Sequence, residues 1–474
     1  MTTALDKPQL APKVEPSDNK KVKENSSTEN TNMQNTSTPD SQNMCSMDPK
    51  VLEFPCGPQS FYGAMKITVC SGFPVVHGAK LSPGYSQLFF APMYTLPITF
   101  YSSEKFSLKI EPYNKDKLVH DEREYYFPKN YTPENFKQIF PGSYHSSTIE
   151  GPTYPETAEK FITSILNEGP ITIFVVGNQS SGKSTFTKYL VNNLLNSYSN
   201  VYYLDLDPGQ PEIFLPGCIT ASKINRYLLN PPEFNFRFAG NKQFIGSFSP
   251  TKAFTKHVEV LFKRLPTDTF VVINSFGWIK GLGLEIHQNL LNIIKPNAII
   301  MLHKADETPT VMSNSQINIE IIPRRGPNMI FPKRHRILRK TAYFERNVLS
   351  SNKLIVASIS SFRLIFLGTQ EKPLTELCGA TVALCNEPMN FWREKPKVST
   401  LYSMPSIWCN SIAMIKSVDE EHGTVSIYSP IPHVTFNVIV YGIINTFKTN
   451  PPSAPPAKDI EPVAVDNEKK EESG

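Results

Sequence analysis

The stretch that decides the fold is Gly177-Asn178-Gln179-Ser180-Ser181-Gly182-Lys183-Ser184-Thr185, which matches the pattern G-x-x-x-x-G-K-[ST] in full. The apolar, β-branched run Ile171–Val176 precedes it and predicts a buried parallel strand. Lys183–Leu195 follows it with the spacing of a helix. A strand, a glycine-rich turn and a helix in this order predict a phosphate-binding loop, because backbone N–H groups and the helix N-terminus can all face phosphate oxygens.

The residue types within this loop predict a nucleoside triphosphate as the ligand. We expect the whole stretch Gly177–Thr185 to contact the nucleotide. Lys183 is expected to bridge the β- and γ-phosphates, and Ser184 to ligate Mg²⁺. The sequence therefore predicts ATP, with Mg²⁺, as the cofactor pair.

Strands and helices alternate on both sides of the loop. Besides the strand before the loop and the helix after it, the pattern predicts helices at Ala158–Leu166 and Leu284–Ile294, and strands at Val201–Leu204, Phe270–Ile273 and Ala298–Leu302. Alternation of this kind is typical of an α/β parallel sheet with right-handed crossovers. We predict a P-loop NTPase parallel-sheet core, the kinase domain of the chain, over residues 151–345.

The segments that flank this core are β-rich. Short alternating stretches broken by Gly and Pro predict an N-terminal β domain over 51–150 and a C-terminal β-rich domain over 346–445. Residues 1–50 are rich in Ser, Thr, Asn and Lys, and the tail 446–474 is rich in Pro, Lys and Glu. Such compositions bury too little apolar surface to offset the entropy of ordering, so both ends are predicted to be disordered.

Composition narrows the class of protein further. The net charge is +5 although both ends are net acidic, so the central part is more basic than the total suggests and suits a polyanionic partner. The chain shows neither a secretory leader nor an apolar run of roughly 18 residues, so we expect no membrane association. The seven cysteines lack C-x-x-C spacing, which argues against a zinc ribbon and fits buried free thiols in a reducing compartment.

Two carboxylates follow the second predicted strand, in Asp205-Leu206-Asp207-Pro208-Gly209-Gln210-Pro211. Ligands in open α/β sheets sit at the carboxyl ends of strands, so this segment is expected to face the phosphates. Asp205, nearest the strand end, is expected either to orient Mg²⁺ or to accept a proton from an attacking hydroxyl. Gln210 is expected to hold a water or a phosphate.

Further along the chain, Trp278 and a basic cluster are candidates for binding an acceptor substrate. Trp278 follows a predicted strand in Asn274-Ser275-Phe276-Gly277-Trp278, where a nucleic-acid base could stack on it. The basic cluster consists of Arg324, Arg325, Lys333, Arg334, Arg336, Arg339 and Lys340. Its arginines could neutralise charge on a transferred phosphate, or the cluster could be a solvated loop or contact a nucleic-acid backbone.

A GTPase is one alternative that the sequence leaves open. His303-Lys304-Ala305-Asp306 echoes the N/T-K-x-D clamp for guanine, but His replaces the Asn whose side chain that motif needs. A D-x-x-G switch is also missing, since Gly209 stands at the wrong spacing from Asp205. A switch or assembly factor that hydrolyses ATP or GTP, and a scaffold without catalysis, are the two competing classes.

The four motifs together resemble those of the polynucleotide 5′-hydroxyl kinases. They are the loop ending in Gly-Lys-Ser-Thr-Phe, Asp205–Glu212, the segment Ser275–Trp278, and the stretch Arg336–Phe344 that ends in Ala-Tyr-Phe. The nucleolar branch, which processes ribosomal RNA, is the more similar one. The related branch acts in messenger RNA 3′-end formation and transfer RNA splicing.

The resemblance implies roles for individual residues. Lys183, Asp205 and Arg336 would be catalytic, with Asp205 activating the RNA 5′-hydroxyl and, beside Ser184, binding the metal. Gln210 and the clasp Ser275, Gly277 and Trp278 would bind the RNA, with Ser275 where the family usually has Thr. The second cation of the lid would be Arg339 or Lys340, although Lys does not replace Arg in planar phosphate recognition.

The resemblance also implies a biological setting. The kinase would transfer the γ-phosphate of ATP to 5′-hydroxyl RNA ends made by an endoribonuclease partner that cuts the internal transcribed spacer of ribosomal precursor RNA. This places the chain in the nucleus and nucleolus. A function in messenger RNA 3′-end formation or transfer RNA splicing is the alternative within the family.

Overall fold

The structure is a computed structural model that describes residues 48–114, 135–148, 151–251, 253–321, 331–346, 353–387, 396–431 and 433–442. All of these fall within one compact unit of the chain. The disorder predicted for residues 1–50 and 446–474 falls outside the described residues except at 48–50, where Lys50 begins the first strand. Arg324 and Arg325 of the basic cluster lie outside them too.

The N-terminal strands form an antiparallel sheet of their own, with the order β1-β7-β2-β6-β3-β4, while β5 and β9 pair with β2 and β8 pairs with β9. The strands are β1 Lys50–Phe54, β2 Gly57–Ser71, β3 Val75–Val76, β4 Ala79–Lys80, β5 Ser86–Ala91, β6 Ile98–Ser102, β7 Phe106–Pro112, β8 Lys137–Phe140 and β9 Ser143–Ser146. Apolar side chains of these strands, among them Phe61, Phe89 and Phe100, make the core of the sheet.

A second, larger sheet begins with the parallel strands that the sequence predicts. Five strands run parallel in the order β16-β15-β10-β14-β11; β12 then pairs antiparallel with β11, and β13 pairs antiparallel with β12. Their bounds are β10 Thr172–Gly177, β11 Val201–Asp205, β12 Cys218–Ile224, β13 Asn241–Phe244, β14 Val271–Asn274, β15 Ala298–His303 and β16 Ile317–Glu320. The order places β10 between β14 and β15, so the strand that leads into the loop lies inside the sheet.

Helices cover both faces of this parallel part. The helices are α1 Glu156–Glu168, α2 Lys183–Leu195, α3 Phe254–Phe262, α4 Leu282–Ile294 and α5 Pro332–Arg346. Alternate residues of β10 point to opposite sides: Ile173 and Val175 pack with α1 and α2, whereas Phe174 and Val176 pack with α3 and α4. Burial on both faces is the reason that this strand reads as one continuous apolar run.

The C-terminal strands continue the larger sheet rather than forming one of their own. They are β17 Lys353–Ser358, β18 Arg363–Leu367, β19 Thr381–Asn386, β20 Val398–Leu401, β21 Trp408–Asp419, β22 Thr424–Ser429 and β23 Val438–Tyr441. The link is a single register pair between β13 and β21, Gln243 with Trp408. One core cluster spans the junction and contains Phe214, Phe244 and Tyr343 together with strand residues such as Ile365 and Ile412.

The prediction of a P-loop α/β core flanked by β-rich segments is confirmed. Its division into domains with the boundaries given above stays a prediction. Three of the cysteines that were expected to be buried are exposed, namely Cys56, Cys70 and Cys378, while Cys218, Cys385 and Cys409 are buried thiols. Among the described residues, none of the helices has the length and apolarity to cross a membrane.

Candidate active site

The phosphate-binding loop joins the end of β10 at Gly177 to the start of α2 at Lys183. The backbone takes a left-handed conformation at Ser180 (φ +62°) and again at Gly182 (φ +79°), the residue before the helix. Glycine adopts this conformation without a steric cost, which explains its place directly before the lysine. The loop therefore turns twice within four residues before the helix starts.

Lys183 points into the centre of this loop. Its Nζ donates hydrogen bonds to the carbonyl oxygens of Gly177 at 3.0 Å and Asn178 at 2.8 Å. Burial lowers the pKa of the ammonium to about 8, and the negative charge of Asp207 opposes that shift. A cation held in this way is ready to pair with a phosphate.

Asp205 and Asn274 stand side by side because β11 and β14 are parallel and pair these two residues in register. Asp205 is fully buried. Its Oδ2 accepts hydrogen bonds from the backbone N–H groups of Glu212 at 2.5 Å and Ile213 at 3.1 Å. Its Oδ1 accepts one from Asn274 Nδ2 at 3.1 Å, and the same Nδ2 lies 3.4 Å from Ser184 Oγ. The structure thus connects the predicted metal ligands Ser184 and Asp205 through Asn274.

Burial raises the pKa of Asp205 to about 7, against the effect of its hydrogen bond from Asn274, which lowers it. The nearby charge of Asp207 raises the pKa further, and the backbone donors lower it. Because both carboxylate oxygens are engaged below the surface, the geometry favours the first of the two predicted roles of Asp205, orientation of the metal site.

Asp207 is the carboxylate closer to solvent, and the sequence analysis gave it no role. Its Oδ1 accepts hydrogen bonds from the backbone of Gly209 and Gln210, each at 3.0 Å, and its charge acts on Lys183. Unlike Asp205, Asp207 is partly exposed. The signal that could have found it is the motif itself, since Asp207 is the carboxylate directly before Pro208-Gly209 and the strand has already ended at Asp205.

Of the residues of the predicted clasp, Gly277 lies at the phosphate loop, whereas Ser275 lies in the protein interior. A Cβ on Gly277 would lie 2.8 Å from Gln179 Cα and 3.2 Å from Lys183 Nζ, so this glycine touches the phosphate loop. Trp278 beside it is 42% exposed. Ser275 is buried, and its hydroxyl donates to the carbonyl of Phe276 at 3.3 Å, so it does not face the open side of the site.

The predicted lid lies on helix α5. Arg339 is buried and donates a hydrogen bond to the carbonyl of Pro211, so it ties the helix to the loop that carries Gln210. The guanidinium of Arg336 lies over the Phe248 ring, 4.6 Å from its centroid, and burial lowers its pKa. Lys340 is also buried, which lowers its pKa to about 8. The lid cations are therefore packed against protein groups in this conformation.

The segment that echoed a guanine clamp contacts the phosphate loop through a different residue. Glu307 accepts a hydrogen bond from Asn178 Nδ2 at 3.1 Å and forms an ion pair with Lys304 at 3.2 Å. The lysine of the supposed clamp is thus engaged within its own turn. This arrangement fixes the phosphate loop against the turn after β15 and does not resemble a base-binding pocket.

A cleft of about 920 Å³ opens beside the phosphate loop, between it and the N-terminal sheet. Ser180, Gly182 and Thr185 line its inner side together with Gln210. Among the other lining residues are Tyr101 and Phe331, which are 55% and 83% exposed. The cleft is large enough for a nucleotide and gives the loop open access to solvent.

The side chains of Ser184 and Asp205 suit a magnesium ion. Hydroxyl and carboxylate oxygens are its preferred ligands, and Mg²⁺ keeps several waters and phosphate oxygens, so it needs few protein ligands. The described residues contain no group of three or more His, Cys, Asp or Glu side chains that could hold a metal. The buried Asn274 Oδ1, which accepts no hydrogen bond within the described part of the chain, adds a polar atom to the pair Ser184 and Asp205.

Comparison with known proteins agrees with this geometry. Residues 177–346 match the model of a family described as mRNA cleavage and polyadenylation factor CLP1 P-loop. The polynucleotide 5′-hydroxyl-kinase nol-9 of Caenorhabditis briggsae is 25% identical over 342 residues, which are 62% of either chain. The polynucleotide 5′-hydroxyl-kinase GRC3 of Kluyveromyces lactis is 38% identical over 144 residues, 27% of this chain and 23% of the relative.

This chain is related to the polynucleotide 5′-hydroxyl-kinases. The alignments span less than two thirds of the length of these relatives. A solved complex of wild-type Clp1p with Pcf11p has the same fold, with a TM-score of 0.60 at 14% identity over 85% of this chain and 99% of that one. The matched family model covers the phosphate loop, and the Clp1p complex shares the fold.

Proposed function

We propose that this protein is an ATP-dependent polynucleotide 5′-hydroxyl kinase. The observation that carries the proposal is the contact between Gly277 and the phosphate loop, with the exposed Trp278 next to it. A phosphate loop alone would serve any nucleotide-hydrolysing protein. The exposed Trp278, next to the glycine that contacts that loop, would supply the position of a second substrate, a nucleic-acid end.

The donor half of the reaction uses the phosphate loop. Lys183 would pair with the β- and γ-phosphates of ATP, and Ser184 and Asp205 would hold Mg²⁺, which neutralises developing charge when bound. We propose that the cleft beside the loop admits the nucleotide, because Ser180 and Gly182 line it.

The acceptor half uses the second carboxylate. We propose that Asp207 accepts the proton of the RNA 5′-hydroxyl, because it is partly exposed and its charge interacts with Lys183. The buried Asp205 would orient the metal site. Gln210 would position the acceptor end, and Trp278 would stack on its base. The lid would contribute Arg336, with Arg339 or Lys340 as the second cation, once helix α5 releases them from their present contacts.

The relatives named as polynucleotide 5′-hydroxyl-kinases support this activity. We propose that the protein phosphorylates 5′-hydroxyl ends during processing of ribosomal precursor RNA, in the nucleus and nucleolus, beside an endoribonuclease that makes those ends. The Clp1-type family model keeps a function in messenger RNA 3′-end formation or transfer RNA splicing as the alternative.

Transfer of the terminal phosphate from γ-labelled ATP to a 5′-hydroxyl oligoribonucleotide tests the proposal. We expect label on this RNA, and none on the same RNA with a 5′-phosphate. Asp207→Asn is expected to lower turnover by at least roughly 100-fold, because a general base contributes on that order. Lys183→Ala is expected to abolish turnover, because it removes the cation that pairs with the β- and γ-phosphates. Asp205→Ala is expected to abolish activity through loss of the metal site, with the fold kept.

Trp278→Ala is expected to act on RNA binding and not on turnover. Loss of one stacked base costs about 1–3 kcal/mol, so the KM for RNA should rise about 5- to 100-fold while kcat changes little. Tyr402→Ala is the matched control, since Tyr402 is 92% exposed and lies after β20 in the C-terminal strands. Nucleotide hydrolysis without label on RNA would favour a switch or assembly factor. RNA binding that is indifferent to ATP and to all these variants would favour a scaffold.

A further inference from the structure

The side chain of Asn274 ends β14 at a position between the phosphate loop and the carboxylates. It is fully buried. Parallel pairing with β11 sets Asn274 opposite Asp205, while pairing with β10 brings it beside Val175, two residues before the loop begins. Three strands of the sheet therefore fix its place, and its own backbone has no freedom to move it.

The orientation of the amide follows from its neighbours. In its ionised form, which the hydrogen bond from Asn274 favours, Asp205 can only accept, so the atom of Asn274 that lies 3.1 Å from Asp205 Oδ1 is the Nδ2 donor. The same Nδ2 lies 3.4 Å from Ser184 Oγ and uses its second hydrogen there. The Oδ1 atom consequently points away from both partners.

This Oδ1 atom is buried and accepts no hydrogen bond from the described residues. A buried acceptor without a donor is costly, and native proteins keep few of them. Such an atom between a P-loop serine and a buried carboxylate is explained if a donor arrives with the ligand. Mg²⁺ bound to a nucleotide retains water molecules, and each of these presents hydrogens outward.

We propose that Asn274 is a positioning residue of the Mg²⁺–nucleotide site, which orients Ser184 and Asp205 through Nδ2 and accepts a hydrogen bond from metal-bound water through Oδ1. The inference rests on the proposed function only so far as that function requires nucleotide with Mg²⁺. It assigns Asn274 no contact with RNA and no part in the transfer itself.

The test compares nucleotide affinity with Mg²⁺ and with EDTA, measured on the full chain by calorimetry with ATP. Asn274→Leu removes both functions of the amide at nearly constant volume. We expect affinity in EDTA to stay near that of the native protein, and the gain on adding Mg²⁺ to fall roughly 10- to 100-fold, the usual effect of removing a group that supports a metal ligand. Asn274→Ser carries the same expectation if the leucine variant does not fold.

Asn274→Asp separates the two atoms of the amide, because it retains an oxygen for the metal-bound water and loses the donor. Its Mg²⁺-dependent gain should lie between that of the native protein and that of Asn274→Leu, because the oxygen remains while the donor that orients Ser184 and Asp205 is lost. Asn192→Leu is the matched control: Asn192 is also fully buried, on α2, where it hydrogen-bonds the backbone of His77 and Leu228. That variant loses these hydrogen bonds and should be less stable, but its ratio of affinities with and without Mg²⁺ should equal the native ratio.

Two results would overturn the inference. One is an unchanged Mg²⁺ gain in Asn274→Leu or Asn274→Ser. The other is an equal loss of the gain in Asn274→Leu and Asn274→Asp, which would mean that the oxygen has no part in it. Because the measurement contains no RNA, a protein that binds Mg²⁺ and ATP but never phosphorylates RNA would contradict the proposed function and leave this inference standing.

Discussion

At the scale of single residues, Gly277 shows how closely the site is assembled. It lies near Gln179 and Lys183, and the Cβ of any larger residue would stand 2.8 Å from a backbone atom of the phosphate loop. Backbone cannot move aside as a flexible side chain can, so the loop would have to shift. The geometry of the phosphate site therefore depends on the absence of a side chain at one position.

Gly277→Ala is expected to weaken ATP binding by at least about 10-fold, because a displacement of the loop disturbs several phosphate contacts at once, each worth about 1.5–3 kcal/mol to a charged group. Calorimetric titration with ATP measures the effect, and a melting curve shows whether the fold survives. Phe276→Leu, next to it but packed into the core with α3 and α4, is the comparison. Native affinity in Gly277→Ala would show that the loop accommodates a Cβ at this position without displacement of its phosphate contacts.

The sequence predicted most residues of the site but not their accessibility. The phosphate loop was readable in full because its chemistry requires fixed residue types at fixed spacing. The roles of Asp205 and Asp207 could not be separated, since both follow the same strand and only the fold shows that Asp205 is buried. The contacts of Asn274 could not be predicted either, because they arise from strand pairing with Asp205, 69 positions away in the sequence.

At the scale of elements, prediction succeeded where the pattern was local. Helix α2 was predicted with its bounds, Lys183–Leu195. Strand β12 was missed because the buried face that holds Cys218 and Ile224 also holds Thr220 and Ser222. The sequence therefore shows neither a continuous apolar run nor a clean alternation there. Helix α5 was read as a basic cluster, although Leu338 and Ala342 give it a buried face.

Arg339 on α5 leads to a prediction about the lid helix. Arg339→Met keeps the apolar stem but removes the hydrogen bond to Pro211 and a charge that lowers the pKa of the buried Glu212. We expect a loss of about 1.5–3 kcal/mol in the free energy of unfolding, the value of a hydrogen bond to a charged group. Urea denaturation measures it.

Lys333→Met, an exposed change on the same helix, should leave that free energy unaltered. Arg339 has the alternative role of a lid cation over the phosphates. If that is its only role, Arg339→Met will lower kinase turnover and leave the free energy of unfolding at the native value.

At the scale of the whole molecule, buried histidines link stability to pH. Burial lowers the pKa of His77 to about 3, and those of His257, His287 and His335 to about 4. The unfolded chain takes up these protons below pH 6.5 while the folded chain stays neutral, so each histidine removes stability as the pH falls from 6.5 toward its folded pKa. The free energy of unfolding gains nothing from this source above pH 7.

The pH-dependent loss of stability can be measured for one buried histidine at His77, which joins the N-terminal sheet to the phosphate-loop helix. Its Nε2 donates to the Thr185 carbonyl at 2.9 Å, the Tyr154 hydroxyl lies 3.3 Å from Nδ1, and the charge of Lys188 disfavours protonation. Between pH 7 and pH 5 the native protein should lose about 2 kcal/mol more than His77→Gln does. Urea denaturation at both pH values measures the difference; the exposed Tyr402→Ala, which changes no group that titrates in this range, should lose as much as the native protein.

The junction between β13 and β21 has a consequence for how the molecule comes apart. Only Gln243 and Trp408 pair there, yet Phe214, Phe244 and Ile412 share one core across it. Backbone pairing at the junction is thus weak, and interlocked side chains bind the two halves. Thermal unfolding of the C-terminal strands would expose the shared core and leave one edge of the phosphate-loop sheet unpaired. The two halves are therefore expected to unfold in a single cooperative transition. A fragment ending before residue 346 would expose the apolar side chains of this shared core to solvent and is therefore expected to aggregate.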